Sequence, residues 1–518
     1  MGFLSFKFIL FIVALFGIYF IIPKKYQWVV LLVFSYLYYY LCSNRLIVVL
    51  IFESVFVFLV GKYLSSLNKK LKDKDIDKAT KEKLNNQKKI VLIFGNVVVL
   101  GMLVVIKYSD FIISNINALF NGNISFLNFV LPLGISFYTL QAISYMTDVS
   151  KNRIEADNNL FHFMLYMSYF PQIIQGPIPR YNRLAKQLFE EHDYDYTRVA
   201  HGLQLMFWGI AKKAIIADRI GIPVRYFFNN YSEFHGVLAL LGAICYGFQI
   251  YADFSGGIDA VKGISEVLGI YLDDNFRQPF FSKSVEEFWR RWHITLGSWM
   301  KDYVFYPLSL SKAFNKISKK ARTRFGDKIG KKIAPCIAMF IVYFLVGIWH
   351  GADWKYIVYG IWNGVFIMSG IYFENEYKKA LELFKINNDS KLWNVFRMIR
   401  TFMICSVGRI ISRSNSLQDA FGIIKSIFTK FFDTSYLNQE LFEKLGLNMK
   451  NWILLLIMIL IVMFVDYLKE KGIDIRNSID QKNIVIRWAL YMTLILCILV
   501  FGYYGGEYDA SAFIYGKF

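Results

Sequence analysis

Apolar residues in this chain gather in long blocks instead of alternating with polar ones. Runs with little or no charge recur at 8–22, 26–41, 46–61, 90–106, 333–349, 356–373, 451–465 and 488–506. More interrupted runs lie near 129–147, 160–176, 200–216, 234–252 and 396–411. Crossing the hydrocarbon core of a bilayer takes roughly 20 helical residues. The pattern therefore predicts an all-α, polytopic membrane protein with about ten to twelve transmembrane helices, some short or re-entrant. The first run lacks a basic segment ahead of it and a small-residue cleavage site behind it, so it is expected to stay as a helix and not be removed as a leader.

Composition agrees with that reading. A mean hydropathy of +0.37, with 56% hydrophobic residues and nine prolines in 518, leaves more apolar surface than a water-soluble core can take in. The net charge of +20 would suit a nucleic-acid partner, but its distribution argues against one. The positive charge concentrates in residues 65–89 (SSLNKKLKDKDIDKATKEKLNNQKK) and 311–332 (SKAFNKISKKARTRFGDKIGKK), which read as basic loops between apolar segments. Such loops are held on the cytoplasmic side, where they also suit anionic lipid headgroups or an acidic carrier protein. Counting back through three helices from 65–89 puts the Lys24–Lys25 turn on the same side and the N-terminus on the other. Cys42, Cys245, Cys336, Cys405 and Cys497 stand alone with no CxxC spacing, so neither a disulfide framework nor a metal site is expected. No repeat and no Pro- or Ser-rich linker divides the chain, and residues 1–518 are expected to form one integral domain.

The middle third departs from a plain hydrophobic bundle. The stretch from Pro171 to Tyr181 (PQIIQGPIPRY) holds three prolines and a glycine, which end a helix and prevent its immediate restart. A break of this kind at membrane depth must be covered by protein or line a wet cavity. Asp253, Ser255 and Asp259 surround Gly256–Gly257 at the end of an apolar run, either as a helix end with Asp caps or as the polar wall of a cavity. Ser284 with Glu287 forms a capping box opening a helix that carries FWRRWHITLGSWMKDY. On helical periodicity Trp289, Trp292, His293, Leu296 and Met300 share one face.

Two of the six histidines stand out. An ionisable group on or beside a membrane-type helix is costly, and marks a candidate site. His293 projects among large rings, while His350 ends the uncharged run 333–349 between Gly347 and Gly351, small residues that permit close approach. Burial would keep such an imidazole neutral, and a neutral, oriented imidazole can take a proton from a hydroxyl.

The ordered motifs PQIIQGPIPRY, YADFSGGIDA, NFRQPFFSKSVEEFWRRWHITLGSWMKDYVFYPL and GIWHGADWKYIVYGIWNG resemble those of the membrane-bound O-acyltransferase family. The likeness is densest over about 125–375, and within the family it is greatest to the branch of the alginate O-acetylation membrane protein and the teichoic-acid D-alanyl transfer protein. The closing FIYGKF echoes the family's usual C-terminus.

The resemblance implies a ring of tilted helices around a central tunnel, in a multi-pass protein of the cell membrane. It implies transfer from a cytoplasmic acyl thioester, acetyl-coenzyme A or an acyl carrier protein, to hydroxyls of an extracytoplasmic polysaccharide or teichoic acid. No tightly bound cofactor or metal is implied. By the family's motifs His350 is the general base and His293 orients the acceptor or stabilises the oxyanion, with Asp253, Ser255, Trp349 and Trp292 as candidates for lining the tunnel. A secreted SGNH-type acetyltransferase or esterase is an expected partner. With no Gly-x-Ser-x-Gly elbow, direct transfer is more natural than a serine acyl-enzyme.

The departures bear on the acceptor. Where alginate-type members continue YIPLGG, this chain has Tyr306-Pro307-Leu308-Ser309-Leu310-Ser311. The family's FSGYS is here Phe254-Ser255-Gly256-Gly257-Ile258, and its C-terminal Phe-Gln has become Gly516-Lys517. These changes argue against alginate itself and for another bacterial envelope polymer. Two other classes stay open: a polysaccharide or lipid-linked-sugar transporter, which intramembrane acids and inverted repeats would favour, and a non-catalytic scaffold in polysaccharide export.

Overall fold

The computed structural model describes residues 5–433 and 439–504. The closing FIYGKF lies outside the described residues. Among those residues the chain is helical, with one isolated bridge, Phe276 to Trp292, as its sole β-type pairing. The polytopic all-α expectation therefore holds. Among the described residues six helical segments are long and apolar enough to cross a membrane, or seven if the bent pair Trp354–Tyr372 and Glu374–Leu383 counts as one span. Of the interrupted runs, 129–147, 160–176 and 200–216 became helices of 16 residues or fewer, whereas 234–252 lies in the 32-residue helix Gly236–Val267 and 396–411 in the 23-residue helix Lys391–Arg413. The chain divides into two compact units, one of residues 1–208 with 257–273, the other of residues 209–256 with 274–506.

The first unit contains α1 (Phe6–Ile21), α2 (Gln27–Ser43), α3 (Ile47–Leu71), α4 (Lys78–Phe120) and α5 (Ile135–Ser150), followed by the short α6 (Leu160–Ser168), α7 (Phe170–Gln175) and α8 (Tyr181–Phe189) and most of α9 (Tyr196–Ala211). The basic segment 65–89 is not a loop: α3 continues to Leu71, and α4 starts at Lys78 behind the Asp77 cap, whose carboxylate accepts from the Ala79 and Thr80 N–H groups. Lys, Glu and Ala are strong helix formers, so apolar helices here extend into polar ends beyond spanning length. The proline-rich break falls where expected, with α7 stopping at Gln175 and α8 starting at Tyr181. Residues 176–179 of that break are buried, as membrane depth requires, and at the preceding break between α6 and α7 the Phe170 N–H donates to Ser35 Oγ at 3.1 Å and Gln141 Nε2 donates to the Tyr166 carbonyl at 2.6 Å.

The second unit holds α10 (Asp218–Asn229), part of α11 (Gly236–Val267), then α12 (Val285–Arg291), α13 (Ile294–Met300), α14 (Tyr306–Ser309) and α15 (Lys312–His350). After these come α16 (Trp354–Tyr372), α17 (Glu374–Leu383), α18 (Lys391–Arg413), α19 (Leu417–Thr429), α20 (Gln439–Lys444), α21 (Met449–Glu470), α22 (Ile475–Asp480) and α23 (Ile484–Phe501). The second basic segment is again helical, the start of α15 behind a Ser311 cap, with a break in helical backbone at Gly326. Only 6% of the apolar window of α23 is buried within the protein, which leaves its Leu, Ile and Val side chains for lipid.

Candidate functional site

The site lies in the second unit and is built on α11, α12, α13, α15 and α16. The capping box is present as read: the Glu287 N–H donates to Ser284 Oγ at 3.1 Å, and the Lys283 N–H donates to Glu287 Oε2 at 2.8 Å. The helix it opens is shorter than expected. It stops at Arg291, Trp292 is extended, and His293 sits at φ 50°, ψ 51° before α13 begins. His293 is thus held at a break between two helices and not on a continuous helical face, and Trp292 does not share its register.

Residues 275–277 cause the break. They run against 291–294, with the Arg277 N–H donating to the Arg291 carbonyl at 3.0 Å and the Ile294 N–H to the Asn275 carbonyl at 3.1 Å. This pairing competes with the helical ladder and wins. A left-handed conformation costs a non-glycine residue about 1 kcal/mol or more and persists only where surrounding bonds determine it. Asn275 supplies them. Its buried Oδ1 accepts from the Thr295 N–H at 3.0 Å and the Thr295 hydroxyl at 3.0 Å, and faces His293 Nδ1 at 3.3 Å. Because that oxygen only accepts, the network assigns the proton of His293 to Nδ1 and leaves Nε2 as an acceptor. His293 is outside the long apolar helices, and burial holds its imidazole well below the usual histidine range, with the neighbouring His350 acting in the same direction. It is neutral at neutral pH.

His350 is the last residue of α15 and is buried. The Trp349 ring joins the two imidazoles, with its centre 5.8 Å from that of His293 and 5.2 Å from that of His350. The structure therefore brings together His293, His350 and Trp349. Behind His350 the helices α15 and α16 approach at two glycines: a Cβ on Gly347 would come 2.5 Å from the Tyr356 carbonyl oxygen, and one on Gly360 would come 2.9 Å from the Gly347 Cα. This contact brings Tyr359 of α16 to 5.9 Å from His350, ring centre to ring centre. Trp289 is anchored on α16, its indole N–H donating to Asn363 Oδ1 at 3.0 Å. Trp292 packs between Phe276 at 4.9 Å and the buried Arg409 guanidinium at 5.6 Å.

Asp253 and Ser255 do not sit at a helix end. No helix end or turn occurs at Gly256–Gly257, because α11 runs through them. Gly256 instead serves close packing, as its Cβ would stand 2.7 Å from the Gly209 carbonyl oxygen. Both polar side chains are buried against Lys212–Ala217, a stretch of π-helix: Lys213 Nζ pairs with Asp253 at 2.8 Å and with Asp218 at 2.6 Å, and Lys212 Nζ donates to Ser255 Oγ at 2.9 Å. They form an ion-paired support. The residue between them, Phe254, places its ring edge-on to His293 at 4.9 Å.

A cavity of about 470 Å³ opens beside this constellation. Its walls are mostly apolar, from Met300, Met339, Val342 and Val346, with Glu286, Arg290 and Lys301 as charged lining residues and His293 at its surface. His350 follows Val342 and Val346 at four-residue steps, on the same face of α15. A cavity wall of this composition can hold an apolar or thioester-bearing stem while the His293 imidazole meets its reactive end.

Asn275, Phe254, Tyr359, Asn363 and Arg409 were missed by sequence reasoning. Asn275 stands at the head of the NFRQPFF motif, where an Asn before aromatic residues reads as an ordinary turn. Its 18-residue separation from His293 leaves no local signal.

Comparison with known proteins is consistent with this geometry. Residues 116–414 match the membrane-bound O-acyltransferase (MBOAT) family. The chain is 30% identical over 417 residues to the probable alginate O-acetylase AlgI of Pseudomonas syringae pv. tomato, covering 80% of this chain and 72% of that one. It is 28% identical over 369 residues to a peptidoglycan O-acetyltransferase of Helicobacter pylori, covering 66% and 65%. Over 261 residues it is 30% identical to a teichoic acid D-alanyltransferase of Bacillus subtilis, covering 49% and 62%.

Proposed function

The chain belongs to the membrane-bound O-acyltransferase family and is a multi-pass membrane O-acyltransferase, and from that premise we propose that it moves an acetyl group from a cytoplasmic thioester to hydroxyls of an extracytoplasmic envelope polysaccharide. The observation that carries the reading is the pair of buried imidazoles joined through Trp349 beside an apolar cavity. His350 takes the proton as the acceptor oxygen attacks the thioester carbonyl. The C–O bond forms, the C–S bond breaks, and the departing thiolate takes up the proton held on the imidazolium. His293, with Nε2 as an acceptor, receives a hydrogen bond from a neighbouring hydroxyl, which a polyhydroxylated acceptor offers and a simple alcohol does not. Stabilising an oxyanion would need an N–H at that position, so the tautomer favours the orienting role. The donor, acetyl-coenzyme A or an acyl carrier protein, is a co-substrate. The cell membrane is the setting, and a secreted acetyltransferase or esterase is the partner this route would use.

Acetyl is preferred to D-alanyl because the likeness to O-acetylases runs along most of the chain and that to D-alanyltransferases along about half. Hydroxylamine treatment of the envelope polymer from cells with and without the protein distinguishes them. Acetohydroxamate that depends on the protein is expected. Alanine hydroxamate in its place would overturn the acetyl assignment.

A further inference from the structure

The second basic segment has no part in the chemistry above, and it is folded in a definite way. Residues 312–332 carry nine Lys or Arg against one acid, Asp327, which pairs with Lys331 at 3.0 Å. At Gly326 the backbone takes φ 75°, ψ 164°, a conformation essentially confined to glycine, and α15 folds back on itself there. Its first arm, 312–325, runs antiparallel to the start of its second. A Cβ on Gly330 would overlap the Arg322 backbone, and Phe314 packs with Ala334 and Ala338.

That packing fixes which face of the arm looks outward. Phe314 and Ala321 are buried, and at seven residues apart they lie on one side of the helix. Lys312, Lys316, Lys319 and Lys320 fall on the opposite side, and all four are exposed. Among the described residues no carboxylate pairs with any of the four. The packing also fixes the level. Ala334 and Ala338 lie in the first turns of the uncharged run 333–349, so the arm stands beside the point where α15 enters the apolar layer. Ammonium groups at that depth reach the headgroups on their aliphatic stems. Leu310, just ahead of the arm, is 76% exposed and Ile317 is 37% exposed, apolar surface suited to acyl chains.

We propose that this arm binds anionic phospholipid of the surrounding leaflet: the lysine stripe holds headgroups of net negative charge, and Leu310 and Ile317 meet the acyl chains. Four ammonium groups attract charge without imposing one geometry, so the attachment is electrostatic and sensitive to salt. An acidic carrier protein matches the charge equally well, but it approaches from water, whereas this stripe flanks an apolar run. The inference does not rest on the acyl-transfer reading.

The test is the lipid retained by the full-length protein purified from mixed micelles of phosphatidylglycerol and phosphatidylcholine. Phosphatidylglycerol should be enriched over phosphatidylcholine, and the enrichment should fade as salt rises. Lys312→Gln, Lys316→Gln, Lys319→Gln and Lys320→Gln together should lower it roughly fivefold or more, while Arg at the same four positions should preserve it. The four side chains are exposed, so Tm in detergent should match wild type in both variants. The pair Lys316→Gln and Lys320→Gln should show part of the loss, and it reads the stripe even if four changes together disturb folding. Equal retention of the two lipids by wild type, or an enrichment that survives the Gln substitutions, overturns the proposal. Capture of an acyl carrier protein in phosphatidylcholine alone, lost in the Gln variant, would make the stripe a protein-docking surface and overturn it too.

Discussion

Asn275 does for His293 what a second-row partner does for a metal-bound histidine: it sets tautomer and direction. Truncation in Asn275→Ala removes the oxygen that serves Thr295 and His293 together and leaves a left-handed residue without its support. A fall in kcat of roughly 10- to 100-fold with little change in KM is expected, together with a stability loss of about 1–3 kcal/mol. Asn275→Asp keeps an acceptor there and should recover most of the rate. Equal kcat in Asn275→Ala and wild type, measured at matched protein level, would show that the anchor has no catalytic consequence. The two histidines were legible because each is a polar exception in apolar surroundings. Asp253 and Ser255 were legible as exceptions too, but Gly256–Gly257 read as a helix breaker, whereas here Gly256 permits close packing within an unbroken helix. Nothing in the sequence near Asp253 points to Lys213, forty residues earlier in the chain.

At the scale of elements, local signals did well and tertiary pairing did not. The Ser284 capping box placed the start of α12 correctly because all its partners lie within four residues. Periodicity then carried the helix through His293, since nothing local announces that residues 275–277 will pair with 291–294. The contact of Gly347 with α16 has the opposite character: Gly347 reads in sequence as a point of close approach and α16 meets it there, although its partner Gly360 carried no signal of its own. It supplies a prediction with an internal control. Gly347→Ala places a methyl group 2.5 Å from the Tyr356 carbonyl oxygen and should cost about 1–3 kcal/mol, lowering Tm and moving Trp349 and His350. Gly370→Ala, in α16, meets nothing within 4 Å and should stabilise by about 0.5–1 kcal/mol through helix propensity. Equal Tm values for the two variants would refute the close-packing role.

For the whole molecule, block hydrophobicity announced a polytopic helical protein, and the charge excess settled into the polar ends of long helices. What composition could not show is where apolar runs break into short helices, because the bonds that cover those breaks, such as Ser35 to Phe170 and Gln141 to Tyr166, span long stretches of sequence. The central claim joins all three scales, since α11, α12, α13, α15 and α16 converge to set two imidazoles in one site. The most direct measurement is the ester-linked acyl content of envelope polymer in cells expressing wild type, His350→Ala, His293→Ala or the double variant at equal membrane levels. Residues that act as one unit are not additive, so each single variant and the double should fall to the level of cells lacking the protein. Normal ester content with either histidine replaced would contradict acyl transfer by this pair.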